Sequence, residues 1–265
     1  IGALCLLPVI KILDKKELTV NRPESKKQKK ELWIAGSCCG IALFFASNLQ
    51  QLGISMGAES GKAGFLTATY ILMVPILGIF LKRKCGVKIW IGVFIALIGM
   101  YFLCMNGTFS LSGSDLLLLA GALCFAIQIL VIDHFVSQVD AVRLSCIEFF
   151  VTGLGSCIVM IFTDMGPSTG GIAQWVQSLC TWDAWIPILY AGIFSSGVGY
   201  TLQIVGQKGL NPAVASVAMS LESVVSVIAG WILLGQMLGG REIFGCVLMF
   251  IAIIIAQLPD REYTK

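Results

Sequence analysis

Eight apolar runs dominate this sequence, and they settle its solvent before anything else about it. They cover residues 32–55, 63–81, 89–105, 115–136, 141–163, 184–206, 213–235 and 243–258, each bounded by charges or turn residues. A helix of about twenty residues is ~30 Å long, the thickness of a bilayer's hydrocarbon core. Charged residues make up 12% of the chain and hydrophobic ones 57%; a soluble domain would be about a quarter charged. That leaves too little polar surface to cover a globule in water, so most of the chain is expected to sit in lipid. Within hydrocarbon every backbone N–H and C=O needs an internal partner, which admits helices or a closed barrel. Barrel strands alternate over about ten residues, whereas these runs are longer and apolar all round. The expected fold is all-α, a polytopic membrane helix bundle.

Residues 1–13 form a ninth apolar piece, only about 20 Å long as a helix. It lacks the basic start and the small-residue cleavage site of a signal peptide. It reads as the second half of a span whose beginning is missing. Alternating sides at each span puts sixteen of the eighteen Lys and Arg on one face, with Lys62 and Arg241 on the other. Retention of basic residues in the cytoplasm makes the richer face the inner one and places the C-terminus inside, in a plasma (inner) membrane.

The chain also resembles itself. Shifted by 152 residues, "GAESGKAGFLTATYILMVPILGIFL" lies on "GLNPAVASVAMSLESVVSVIAGWIL". Gly57 then meets Gly209, Gln51 meets Gln203, Tyr70 meets Glu222, and one further residue brings Gly92 onto Gly245. A repeat of five spans, an odd number, gives two halves of opposite topology, as in many secondary transporters. The expected domains are a first repeat over 1–105 and a second over 115–258, with the first helix and part of the second missing from the former.

The segment "SLESVVSVIAGWILLGQML…REIFGCVLMFIAII", with "TATYILMVPILGIFL" and "IGVFIALIGMYFLC" in the first half, resembles the EamA branch of the drug/metabolite transporter superfamily. The resemblance covers nearly the whole chain. It implies a ten-helix carrier of small metabolites, often an exporter, with both termini in the cytoplasm. Two positions depart from the family's pattern: Ser223 stands where Pro commonly follows the Glu, and Gln236 where Glu is common.

Glu222 is the single charge between Lys208 and Arg241, about nine residues from the cytoplasmic end of its span. It therefore lies ~14 Å deep. An ionised carboxylate facing lipid there would cost ~2.5–3.5 kcal/mol or more, so it should face the interior with Ala215, Ala218, Ser226 and Ala229. It is either a partner for a substrate ammonium, an acid that exchanges a proton during transport, or a structural tie between helices. Glu148 is the second acid, on a stripe of small and polar residues with Ser145, Thr152, Gly155 and Ser156. That stripe suits a cavity wall or a close helix contact, the alternative being an interfacial Glu that reaches back to Arg143. Asn48 and Gln51, with Tyr200 and Gln203, add groups that can donate and accept hydrogen bonds, which suits a polar or zwitterionic solute. Tyr70 joins them because the repeat equates it with Glu222. Pro75 should bend its helix by removing a backbone donor, and is the candidate hinge.

The ten cysteines form no CxxC pair and the one histidine belongs to no metal or hydrolase motif, so neither metal nor other cofactor is expected, and an enzyme is not. No soluble domain is available to hold nucleic acid. The sequon at 106–108 falls on an outer loop. The expected function is secondary active transport, with export favoured, of small polar metabolites such as amino acids by alternating access. The proton is the candidate coupling ion, and the bilayer and the solute are the partners. A non-transporting membrane scaffold and a facilitative channel are the alternatives.

Overall fold

In a computed structural model, the structure describes residues 1–17, 19, 21–58, 60–83, 85–105, 112–163, 175–177, 179–234 and 239–258. The sequon and Gln236 lie outside them. Most of the described residues are helical, and eight helical stretches are long and apolar enough to cross a membrane: Lys26–Ser55, Lys62–Phe80, Val87–Cys104, Gly113–Phe135, Ala141–Thr163, Trp182–Gln207, Pro212–Ala229 and Gly240–Gln257. These are the eight runs read from the sequence. Their outer faces stay apolar: Phe80, Phe162 and Trp182 are each about four-fifths exposed. That arrangement suits a lipid environment and would be unfavourable in water.

The helices are α1 (Gly2–Lys15), α2 (Lys26–Ser55), α3 (Ser60–Ala68), α4 (Tyr70–Phe80), α5 (Val87–Cys104), α6 (Gly113–Phe135) and α7 (Ala141–Thr163). Then come α8 (Trp182–Tyr190), a π-helical stretch (Ala191–Tyr200), α9 (Thr201–Gln207), α10 (Pro212–Met219), α11 (Leu221–Leu234) and α12 (Gly240–Gln257). Two compact units share them: residues Ile1–Phe44 with Val131–Gly209, and Phe45–Leu130 with Leu210–Lys265. The long helices α2 and α6 each contribute to both.

In the first unit, Leu32, Ala35 and Cys39 of α2 pack with Ile132 and Val136 of α6 and with Leu144 and Ile147 of α7. Glycines allow the α2–α7 approach: a Cβ at Gly36 would lie 2.6 Å from Ile147, and one at Gly40 would lie 2.8 Å from the Glu148 carbonyl. Thr152 Oγ1 donates to the Gly40 carbonyl at 2.9 Å. This is the small-residue, hydroxyl-tied packing that lets helices associate where lipid competes for apolar contact.

The second unit is built around α5 and α12. A Cβ at Gly92 would meet the Ala252 carbonyl at 2.8 Å, and one at Gly99 would meet the Gly245 carbonyl at 3.0 Å. Partner numbers fall as α5 numbers rise, so the two helices run antiparallel. Val93, Ala96, Met100, Met249 and Ala252 are buried along the contact, joined by Ile71, Val74, Ala126, Val217 and Val224 from the surrounding helices.

Two spans in this unit that the sequence reads as continuous are interrupted. The first breaks at Thr69, between α3 and α4, where Thr69 Oγ1 donates to the Leu66 carbonyl. The second breaks at Ser220, between α10 and α11, where Ser220 Oγ donates to the Val217 carbonyl at 2.6 Å. In both, a hydroxyl takes a carbonyl three residues back and competes with the helical ladder. Pro75 lies buried inside α4, which runs unbroken from Tyr70 to Phe80; the interruption precedes it.

Element boundaries follow the 152-residue register. Adding 152 to the end of α2 at Ser55 gives the end of α9 at Gln207, and α3 begins at Ser60 where α10 begins at Pro212. Among the described residues the glycines with positive φ are Gly57 at 92° and Gly209 at 82°, which the 152-residue shift pairs; each turn needs the left-handed region that glycine enters at little cost. Adding 153 to both ends of α5 gives both ends of α12.

Candidate functional site

The structure divides the sequence candidates between the two units. Glu148, Tyr200 and Gln203 belong to the first, and Asn48, Gln51, Tyr70, Pro75 and Glu222 to the second.

In the first unit Glu148 is fully buried on α7, two turns inside the helix start, where an interfacial carboxylate would be exposed. Arg143 does not reach for it. Its guanidinium Nη2 holds both carboxylate oxygens of Asp14, at 2.8 and 2.6 Å, and Nη1 lies 3.6 Å from Asp140. The stripe beside Glu148 is a helix contact for part of its length, through Thr152 to Gly40 and Gly155 against Phe44. Tyr200 packs edge-on against Phe149, ring centres 6.3 Å apart, which brings it next to the residue after Glu148. Gln203 is half-buried, and its Nε2 is buried without a hydrogen bond among the described residues. Such a donor is costly to leave unmatched in a structural role and suits a site that a polar solute enters.

The Asp14–Arg143 pair ties the end of α1 to the first turn of α7. Asp140 starts α7 by accepting the Arg143 N–H at 2.8 Å, as N-cap carboxylates do. Hydrogen bonds from Thr19 and Arg143 hold the Asp14 carboxyl below the usual carboxylate range. Burial pushes Asp140 up, outweighing the nearby guanidinium. Asp14 is thus the bidentate partner of Arg143, and Asp140 chiefly caps the helix.

In the second unit Tyr70, 4% exposed, is the first residue of α4, with its ring 6.5 Å from Phe125. Glu222 holds the equivalent place, in the first turn of α11, and is exposed. The break at Ser220 therefore turns a mid-span carboxylate into a helix-start carboxylate. The partial positive charge of a helix N-terminus favours its ionised form by ~0.3–1 kcal/mol. Of the stripe expected with Glu222, Ala215 is buried and Ala218 half-buried on α10, and Ala229 is half-buried on α11. The side chain of Ser226 lies outside the described ones. Asn48 is half-buried and Gln51 exposed on α2; one turn of α2 is tied to α3 by Gln50 Nε2, which donates to Thr67 Oγ1 at 3.2 Å.

Sequence reasoning singled out neither Asp14 nor the ion pair Lys62–Asp115. Lys62 Nζ lies 2.6 Å from Asp115 Oδ2, with the side chains 15% and 1% exposed. The signal was available: Lys62 was one of two basic residues held on the face that insertion disfavours. The other, Arg241, also has an interhelical role, its guanidinium lying 5.6 and 5.8 Å over the rings of Tyr101 and Phe102. An open groove of about 760 Å³ in the first unit, lined by Trp175, Trp182 and Trp185 among others, contains none of the candidate residues.

Residues 112–257 match the EamA-like transporter family, more than half of the chain, and the chain belongs to that family. It is therefore an integral multi-pass membrane protein of a transporter family. An uncharacterized transporter of Archaeoglobus fulgidus is 28% identical over 225 residues, 83% of this chain and 67% of the relative. The threonine/homoserine exporter RhtA of Salmonella typhimurium is 28% identical over 241 residues, 88% of this chain and 72% of the exporter. A solved crystal structure matches all of this chain and 85% of its own, with a TM-score of 0.74 at 15% identity, a likeness of fold.

Proposed function

We propose that the chain is a secondary carrier that exports small polar organic solutes, amino acids first among them, by alternating access across the plasma membrane. One observation carries this reading: helix ends, helix interruptions and positive-φ glycines recur in the two parts of the chain at offsets of 151 to 153 residues. The helices that the register equates, α5 and α12, run antiparallel, and an offset of 153 residues exchanges two of their close contacts, Gly92 with Ala252 and Gly99 with Gly245. Two inverted copies of one unit, 1–105 and 115–258, account for all of this, and such repeats expose a midplane site to each side in turn.

In this reading the groups that bind the solute are Asn48, Gln51, Tyr70 and Glu222 in one unit and Tyr200 and Gln203 in the other. Glu222 is the coupling acid, exchanging a proton or pairing with the solute's ammonium; Glu148 is the second acid. The C-terminus is cytoplasmic, and Pro75, which leaves α4 one backbone donor short, is the candidate hinge. The named activity of the Salmonella relative supports amino acids as the solute class. The test is uptake into proteoliposomes from a panel of amino acids, amines and nucleosides, with and without a pH gradient. The expected result is gradient-driven flux of an amino acid that Glu222→Gln uncouples, leaving exchange at equal pH. Normal gradient-driven accumulation by Glu222→Gln would remove the acid from the mechanism.

A further inference from the structure

We infer that α3 is a hinged gate on the outer face, held shut by the Lys62–Asp115 pair; the inference rests on the carrier reading above. The helix is a nine-residue half-span, Ser60–Ala68, with a distinct device at each end. At its far end the hydroxyl of Thr69 interrupts the backbone and separates it from α4. At its near end Lys62 crosses to Asp115 at the start of α6, fifty-three residues away in sequence. Between them α3 is fastened by Gln50 to Thr67, by the buried cluster of Ala63, Leu66 and Leu118, and by Phe65 edge-on to Tyr101 at 6.1 Å. A helix so bounded moves as one piece, pivoting at the break, once its pinned end is released.

The pair is built to be exchanged. Lys62 Nζ, the Ser112 N–H and the Ser112 hydroxyl all converge on one oxygen of Asp115, Oδ2, at 2.6, 2.6 and 2.8 Å. The other, Oδ1, is buried and accepts no hydrogen bond among the described residues. A buried ion pair adds little net stability over an apolar pair of the same shape, but it separates two states sharply, because each charge needs a partner whenever it is buried. Opening α3 to the outer water solvates both charges together, so the pair selects between shut and open with few half-open forms. The equivalent half-helix α10 carries no such charge: Asn211 caps it and Ala213, Ala215, Ser216 and Val217 bury it. The device is specific to one copy, as a gate for one face requires.

Releasing the latch raises the fraction of carrier open to the outside, and apparent affinity from that side scales with that fraction. Reconstituted Asp115→Asn protein, assayed with radiolabelled threonine, should show a half-saturation concentration about tenfold lower from the outer face, and unchanged from the inner. Exchange of α3 amides with deuterium should quicken about tenfold, with α5 and α12 unchanged. The double variant Lys62→Asp/Asp115→Lys should restore both. If Asp115→Asn does not fold, Lys62→Met is read in the same way. An unchanged outer half-saturation, or exchange that quickens in α5 and α12 as well, would overturn the gate. A wild-type protein that moves none of a solute panel would instead fail the carrier reading, and the exchange measurement would still report on the latch.

Discussion

The span α3–α4 is interrupted at Thr69 and continues with a buried Tyr70, whereas α10–α11 is interrupted at Ser220 and continues with an exposed Glu222. The first contains a proline, Pro75, and stays helical through it; the second has none near its break and is broken all the same. Proline is not what the two interruptions share; a hydroxyl that donates to the carbonyl three residues back is. The backbone device is shared and the side chain it presents is not. One half-helix begins with an aromatic ring packed against Phe125, the other with a carboxylate at a helix start. Ser223, where the resembling family commonly has proline, leaves the interruption intact.

Residues of α5 and α12 form the core of the second unit, and breaking their contact should have the largest effect. Gly99→Leu pushes a side chain into the Gly245 carbonyl, 3.0 Å from where its Cβ would stand. Overpacking costs ~1–3 kcal/mol, and backbone on the far side leaves little room to yield, so the upper end is expected. The purified variant should lose thermal stability in detergent, while Gly153→Ala, which meets nothing within 4 Å, should not. Equal losses would mean that the contact is not the axis of the unit.

How much of this was legible in the sequence follows the strength of each physical signal. Length and hydropathy set the eight spans, because the bilayer imposes one thickness on all of them. The pairing of Gly57 with Gly209 was legible because a positive φ restricts the residue type. The breaks could not: Thr69 and Ser220 are ordinary polar residues within apolar runs, and whether a hydroxyl turns back on its own helix depends on packing. Pro75 drew the sequence reading because proline is the stronger local signal, yet it sits within a continuous helix. The ion pairs Lys62–Asp115 and Arg143–Asp14 join residues 53 and 129 apart, which no local pattern reveals. Glu148 read as either interfacial or buried because seven residues of depth fits both; packing of α2 against α7 decides for burial.

A smaller effect sharpens the comparison itself. Ser220→Ala and Thr69→Val each remove one hydroxyl bond and let the helical ladder close, a change of ~1 kcal/mol. Amides around residue 220 should exchange more slowly in Ser220→Ala, and those around residue 69 in Thr69→Val, with slower transport in both. If exchange at a site is unchanged, its hydroxyl follows the break and does not cause it.

The central claim, that two inverted copies move a polar solute by exposing one site alternately, is tested most directly by counterflow. Proteoliposomes loaded with unlabelled threonine and diluted into a trace of labelled threonine should accumulate label transiently above equilibrium, with saturable dependence on the solute inside. Label that only equilibrates at a rate linear in concentration, or no entry for any solute of the panel, would contradict the account.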